Sequence, residues 1–125
     1  RAKDPRGICL VTDATAGVGL PEGSRFTLSG KECIVENGVC LLADRSALGG
    51  RAARMIDLVP MMVREVDLPL NEAVAMATEN PARAVGLERK GRLTLGADAD
   101  LVVLSPQIEV LRTFAAGRQV WSQGH

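Results

Sequence analysis

The sequence contains a single histidine, and that residue, His125, is the last of its 125. Histidine is the commonest metal-binding side chain in proteins and a frequent acid or base in catalysis. Its scarcity excludes a metal site built from several histidines within these residues. A cysteine–histidine catalytic pair is also disfavoured, because its only histidine would be the terminal residue.

Aromatic side chains, long apolar runs and net charge are also scarce. Aromatic residues make up 2% of the chain, so its core must consist mainly of Ala, Val, Leu, Ile and Met. No apolar run approaches the roughly 20 residues that span a bilayer, and the first six residues lack the apolar stretch of a signal peptide. Fifteen basic residues balance fifteen acidic ones, which gives no reason to expect a nucleic-acid or membrane partner. These features favour a cytoplasmic globular protein.

The three cysteines, Cys9, Cys33 and Cys40, are odd in number and have no CxxC spacing. Cys9 and Cys40 both lie within apolar runs of the sequence. The pattern predicts buried free thiols in a reducing compartment rather than disulfide bonds.

The first half of the chain is rich in strand signals. The apolar run from Ile8 to Thr12, closed by Asp13, predicts a strand buried on both faces, as in a parallel sheet. The chain has no parallel neighbour for this strand, which is unusual for a complete domain. A small β insert is predicted at about residues 24–43, with Asn37-Gly38 as a hairpin turn.

Helical spacing of apolar residues follows this insert. It predicts helices over residues 51–66, with a kink or a restart at Pro60, and over residues 70–78. A third, short helix is predicted with Asn80 as its N-cap, Pro81 as its first residue and Gly86 as its stop. The last part predicts strands over residues 100–104, 110–115 and 119–121, the last two joined at residues 116–118.

Several motifs, in the same order along the chain, resemble the N-acetylglucosamine-6-phosphate deacetylases of the amidohydrolase superfamily. They are Leu10-Val11-Thr12-Asp13-Ala14, Thr27 to Lys31, Asn37 to Val39, Ala75 to Leu87, Gly91 to Leu93, Gly96 and Ala97 to Leu104. The resemblance implies an α/β fold: a C-terminal fragment of a (β/α)8 barrel, with its last strand and helices, in residues 1–90. Residues 91–125 would supply the C-terminal strands of the accompanying β-sandwich domain.

The resemblance also implies a chemistry. Asp13 would be the catalytic proton shuttle, and Leu48, Gly49, Gly50 and Arg51 would contact the substrate, an amino-sugar phosphate whose N-acetyl group is hydrolysed. A divalent metal, zinc or similar, would be held by residues of the parent enzyme outside this chain, with at most a contact from Asp13. The fragment by itself would bind no metal and be inactive. The parent enzyme would be a cytoplasmic homodimer.

Two departures from the family pattern bear on the substrate. Gly17 stands where the family has a proline, and Arg51 stands where it has a serine. The substrate could therefore carry a different acidic group. Two alternatives remain open: another amidohydrolase, such as an N-acyl amino acid deacylase, and a non-catalytic binding module. Asp98 and Asp100 are interpreted as turn and strand-edge residues rather than metal ligands.

Overall fold

The computed structural model describes residues 4–124, which fall into two compact units. We call residues Val11–Leu58 the hairpin unit. The residues up to Leu10, together with those from Val59 onward, form the helix-containing unit. Each unit has its own antiparallel sheet, so the mixed α/β class expected from the sequence is confirmed.

The hairpin unit contains a four-stranded antiparallel sheet in the order β1-β2-β3-β4. Its strands are β1 (Arg25–Leu28), β2 (Lys31–Glu36), β3 (Val39–Leu42) and β4 (Leu48–Arg51). Asn37 and Gly38 both have positive φ angles, 53° and 73°, as a tight type I′ hairpin turn requires. The strands and the hairpin turn predicted at about residues 24–43 are therefore confirmed, but β4 was not predicted.

Gly17 packs against the buried side of this sheet, where Cys33, Val35 and Cys40 form the core. A Cβ atom added to Gly17 would lie 2.6 Å from Cys40 Sγ and 2.9 Å from Phe26 Cε1. Both distances are shorter than carbon atoms tolerate in packed interiors. The glycine that replaces the family's proline therefore fits a site with no room for a side chain.

Three helices connect the two sheets along the chain: α1 (Met55–Arg64), α2 (Leu70–Ala77) and α3 (Glu79–Ala84). α1 begins at Met55, four residues later than predicted, because Arg51 belongs to β4, and it continues through Pro60 without a break. Gly86 has a φ angle of 75°, and the Leu87 amide bonds back to the Ala82 carbonyl, so the predicted helix stop is confirmed. No helix among the described residues is long and apolar enough to cross a membrane.

The last sheet is antiparallel, in the order β5-β6-β7. Its strands are β5 (Leu101–Leu104), β6 (Val110–Ala115) and β7 (Arg118–Ser122). Ala116 and Gly117 form the turn between β6 and β7, with φ angles of 48° and 78°. All three strands agree with the predictions to within a residue at most ends.

Other predictions were also wrong. Residues 8–12 form no strand, because the described residues give this segment no parallel neighbour to accept its ladder hydrogen bonds. Leu10 N–H instead donates to Met76 O, 2.8 Å away. Cys9, expected to be buried, is exposed, since the segment around it is not enclosed in a sheet. Asn80 is not a cap: Thr78 occupies the N-cap position of α3, and Pro81 is the third residue of the helix and not its first.

Candidate active site

Asp13 lies in the hairpin unit, next to the end of β4. The β4 residue that it contacts, Arg51, is 38 residues further along the chain. The Arg51 amide donates to Asp13 O at 2.8 Å, and the Thr15 amide donates to Arg51 O at 3.0 Å. These two bonds form a short parallel bridge between Ala14 and Arg51. The structure thus brings together Asp13 and the strand formed by Leu48, Gly49, Gly50 and Arg51, the residues proposed from the sequence.

Asp13 has a left-handed backbone, with a φ angle of 52°. Only a few per cent of non-glycine residues adopt this conformation, although aspartate tolerates it better than most. The Arg51 amide holds the Asp13 carbonyl in this geometry. Asp13 is exposed, so its carboxylate can receive a substrate or a proton from solvent.

Gly50, the β4 residue before Arg51, also lies close to Asp13. It is buried and has a φ angle of 130°. A Cβ atom at this position would lie 2.6 Å from Thr15 Cγ2, 2.9 Å from Asp13 O and 3.6 Å from Asp13 Oδ2. The absence of a side chain at Gly50 is therefore what allows β4 to approach the Asp13 backbone.

The other β4 residues present different groups. Leu48 is 59% exposed, whereas Gly49 lies against the sheet, with Cys40 O 3.3 Å from the position of an added Cβ. Arg51 ends the strand and is exposed. Among residues 4–124, no carboxylate forms an ion pair with its guanidinium.

Thr15 is a site residue that the sequence did not indicate. Its hydroxyl lies 2.9 Å from Cys40 Sγ and accepts a hydrogen bond from the Gly17 amide at 3.3 Å. Through these contacts Thr15 fixes the loop after Asp13 to the buried face of the sheet. A lone threonine in a glycine-rich loop carries no sequence signal for this role, because both partners are distant or backbone groups.

The family resemblance implies a metal, but the residues described here do not form a metal site. No group of three or more His, Cys, Asp or Glu side chains between residues 4 and 124 is arranged to hold an ion. A catalytic zinc site typically uses three protein ligands and an open position. Asp13 can contribute one carboxylate to such a site and no more.

Asp98 and Asp100 lie in the helix-containing unit and are paired with cations. Lys90 Nζ contacts Asp98 Oδ2 at 3.0 Å and also Asp100 Oδ2, while Arg89 pairs with Asp98 at 2.8 Å. The hydrogen bond from Lys90 is the main cause that lowers the pKa of both aspartates, and they in turn raise the pKa of Lys90. This pairing agrees with the structural role predicted for the two aspartates.

Replacing Lys90 with methionine should lower the melting temperature of the full-length protein at neutral pH. The lowered pKa of both aspartates adds stability above the ordinary carboxyl value of about 4, and this is lost as pH falls through the lowered pKa. The raised pKa of Lys90 adds stability below the ordinary lysine pKa of about 10.4, and this stability is lost as pH rises through the raised pKa. The difference from wild type, measured by thermal melts, should therefore shrink from pH 7 to pH 3.

The exposed residue Lys31 on β2 provides the control, and Lys31→Met should melt close to wild type at neutral pH. An equal loss at pH 7 and pH 3 in Lys90→Met would contradict the ion-pair explanation.

Comparison with known families agrees with this geometry. Residues 12–120 match the model of the amidohydrolase family. The chain belongs to the amidohydrolase family. The match begins one residue before Asp13 and includes all of β4, so both parts of the candidate site fall within the family's boundaries.

Several similar proteins are N-acetylglucosamine-6-phosphate deacetylases. The chain is 38% identical over 118 residues to the N-acetylglucosamine-6-phosphate deacetylase of Mus musculus, covering 94% of this chain and 29% of that protein. The crystal structure of the Pasteurella multocida deacetylase matches 94% of this chain and 31% of its own, with 34% identity and a TM-score of 0.86. A Mycobacterium smegmatis deacetylase variant in complex with N-acetyl-D-glucosamine-6-phosphate has 36% identity and a TM-score of 0.85, covering 94% of this chain and 31% of that one. The chain thus spans about three tenths of the length of the relatives it matches.

Proposed function

We propose that this chain is the C-terminal part of a deacetylase that converts N-acetylglucosamine 6-phosphate to glucosamine 6-phosphate and acetate. The observation that carries the proposal is the pairing of Asp13 with β4, which places a carboxylate beside the strand proposed to contact substrate. The names of the relatives over 94% of the chain support the choice of substrate. Under this proposal Leu48, Gly49, Gly50 and Arg51 line the substrate side of the site.

Asp13 supplies the acid–base chemistry that amide hydrolysis requires. An amide is a poor electrophile, and its amine leaves only when protonated. In the whole enzyme a divalent metal, zinc or similar, would lower the pKa of water and polarise the carbonyl. The Asp13 carboxylate accepts the proton that the attacking water loses and returns it to the departing nitrogen. Its exposure and fixed backbone suit a group that must exchange a proton twice in each turnover.

The remaining assignments form part of the same proposal. Residues 1–90 would complete the (β/α)8 barrel, and residues 91–125 would complete a β-sandwich domain. The parent enzyme would be a cytoplasmic homodimer. The 125 residues alone should neither bind zinc stoichiometrically nor release acetate, because a single carboxylate cannot replace a set of metal ligands.

A substrate panel tests the function. The full-length protein, supplied with zinc, should release acetate and free amine from N-acetylglucosamine 6-phosphate much faster than from unphosphorylated N-acetylglucosamine or N-acetyl amino acids. Preference for N-acetyl amino acids would instead support the alternative amidohydrolase. Absence of hydrolysis with every compound would support a non-catalytic module.

The arginine at position 51, where the family has serine, favours a substrate with an acidic group different from that of N-acetylglucosamine 6-phosphate. Arg51 is exposed, its backbone pairs with the Asp13 segment, and its guanidinium forms no ion pair within residues 4–124. A guanidinium can bind a carboxylate or a phosphate through two parallel hydrogen bonds. We therefore compare kcat/KM for N-acetylglucosamine 6-phosphate with kcat/KM for other N-acetyl sugars. In Arg51→Ser the ratio of the first to the second should rise by about tenfold, equivalent to about 1.4 kcal/mol.

The control for this variant is Arg118→Ser, which removes an exposed arginine at the start of β7. It should leave the substrate preference unchanged. Identical preferences in wild type and Arg51→Ser would show that Arg51 does not select the substrate.

A further inference from the structure

Asn80 is the one buried polar side chain found between residues 4 and 124, with 4% of its surface exposed. It lies in the first turn of α3, yet it does not cap that helix. Its Nδ2 atom donates to Pro5 O at 2.8 Å and to Ile8 O at 2.7 Å. A helix residue therefore holds a backbone segment more than 70 residues earlier in the sequence.

The hydrogen-bonding groups of Asn80 match this task. A carboxamide has two N–H donors and one carbonyl oxygen. Both donors are used on two different carbonyls, and Oδ1 accepts from Arg83 Nη2 at 3.1 Å. Aspartate has the same shape but no donors when ionised, and serine has only one. Among side chains of this size, only asparagine can bind both carbonyls and the guanidinium together.

Arg83 extends the same set of contacts. Its Nη2 atom also donates to Arg6 O, so the carbonyls of Pro5, Arg6 and Ile8 are all bound by two side chains of α3. The Leu10 amide then donates to Met76 O on α2. Residues 5–10 form no strand: Pro5–Gly7 is a short 3-10 helix closed by its own backbone bonds. The segment is held to α2 and α3 by the two side chains and one helix carbonyl instead of by a sheet ladder.

We infer that Asn80, assisted by Arg83, is a positioning residue for Asp13. Asp13 follows Leu10 by three residues, and its own carbonyl is held by the Arg51 amide. The segment is therefore fixed before Asp13 by Asn80 and at Asp13 by β4. If the first set of bonds is lost, the backbone entering Asp13 can slide or rotate, and its carboxylate loses the orientation that proton transfer needs. Only the expected effect on kcat rests on the proposed function; the hydrogen bonds made by Asn80 do not depend on it.

The test uses the full-length protein with Asn80→Asp, which keeps the side-chain shape and removes both donors. Asn71→Asp is the matched control, because Asn71 is an exposed residue of α2. Hydrogen–deuterium exchange should be at least about tenfold faster at the Leu10 amide in Asn80→Asp and unchanged in Asn71→Asp. For N-acetylglucosamine 6-phosphate, kcat should fall about tenfold in Asn80→Asp with KM within about twofold of wild type.

Exchange and kinetics separate the possible results. Unchanged exchange at Leu10 in folded Asn80→Asp would overturn the inference, as would faster exchange with an unchanged kcat. If Asn80→Asp does not fold, Arg83→Met replaces it, and the inference then requires faster exchange over residues 6–13 and a lower kcat at constant KM. If the wild-type protein hydrolyses no acetamide, the proposed function fails, while the exchange experiment still decides whether Asn80 holds this segment.

Discussion

Replacing Asp13 with asparagine in the full-length protein should lower kcat for N-acetylglucosamine 6-phosphate by about 100-fold or more. Asparagine has nearly the same shape but cannot accept the proton that the attacking water releases, and positioned acid–base groups typically contribute 10²–10⁴-fold to rate. The Asp13 backbone is held by the Arg51 amide, which the substitution leaves intact. We therefore expect KM and the melting temperature to change little.

The chain offers a close control for this experiment. Asp67 is also exposed and also left-handed, with a φ angle of 56°, but it lies between α1 and α2. Asp67→Asn should have wild-type turnover, because it makes the same chemical change in the same backbone conformation in the unit that does not contain β4. If Asp13→Asn retained near-normal turnover, Asp13 would not be the proton shuttle.

Replacing Gly50 with alanine should cost both stability and turnover. The backbone conformation at Gly50 is one that alanine rarely adopts, and such strain costs on the order of 1–3 kcal/mol of unfolding free energy. The new methyl group would also press on Thr15 Cγ2 and Asp13 O. We expect turnover of the folded enzyme to fall by about tenfold or more, since small displacements of a catalytic group have large effects on rate.

Gly30→Ala separates these two effects. Gly30 lies in the turn between β1 and β2 with a φ angle of 79°, and nothing lies within 4 Å of an added Cβ. This variant should lose stability, as measured by urea denaturation, but keep its turnover. Adding Thr15→Ser to Gly50→Ala removes the methyl group of the closest contact and should restore part of the lost rate. Equal turnover in Gly50→Ala and Gly30→Ala would show that contact with Asp13 does not matter.

The elements that the sequence predicted well depend on local chemistry. Asn37-Gly38 and Ala116-Gly117 adopt the paired positive φ angles of two-residue hairpin turns, and the flanking strands are adjacent to them. Gly86 likewise stops α3 through bonds to its own helix. Turns and helix ends of this kind could therefore be placed to within a residue or two.

The elements that the sequence did not predict depend on distant contacts. β4 contains two adjacent glycines, which normally indicate a loop, and it forms a strand because β3 and the segment after Asp13 both bond to it. Residues 8–12 have a strand composition but find no ladder partner among the described residues. Asn80 precedes a proline, as a helix cap often does, yet its donors bind carbonyls from the start of the chain. Neither the partners nor their distances can be read from such local patterns.

Family resemblance supplied the candidate site, and the structure adds its geometry. Asp13 and Arg51 were selected because they match, or depart from, a family pattern, and no local signal connects them across the intervening residues. The two backbone hydrogen bonds between their segments are the physical link. The role of Gly50 follows from that link, because its contacts with Asp13 and Thr15 exist only once the segments are paired.

Isotope labelling during hydrolysis tests the central claim most directly. In water enriched in oxygen-18, the full-length protein should convert N-acetylglucosamine 6-phosphate to equal amounts of free amine and acetate, with one labelled oxygen in each acetate. The same protein with Asp13→Asn should release both products at no more than about one hundredth of the wild-type rate. Equal rates in the two proteins, or the absence of labelled acetate from wild type, would contradict the assignment of this chain to an Asp13-dependent deacetylase.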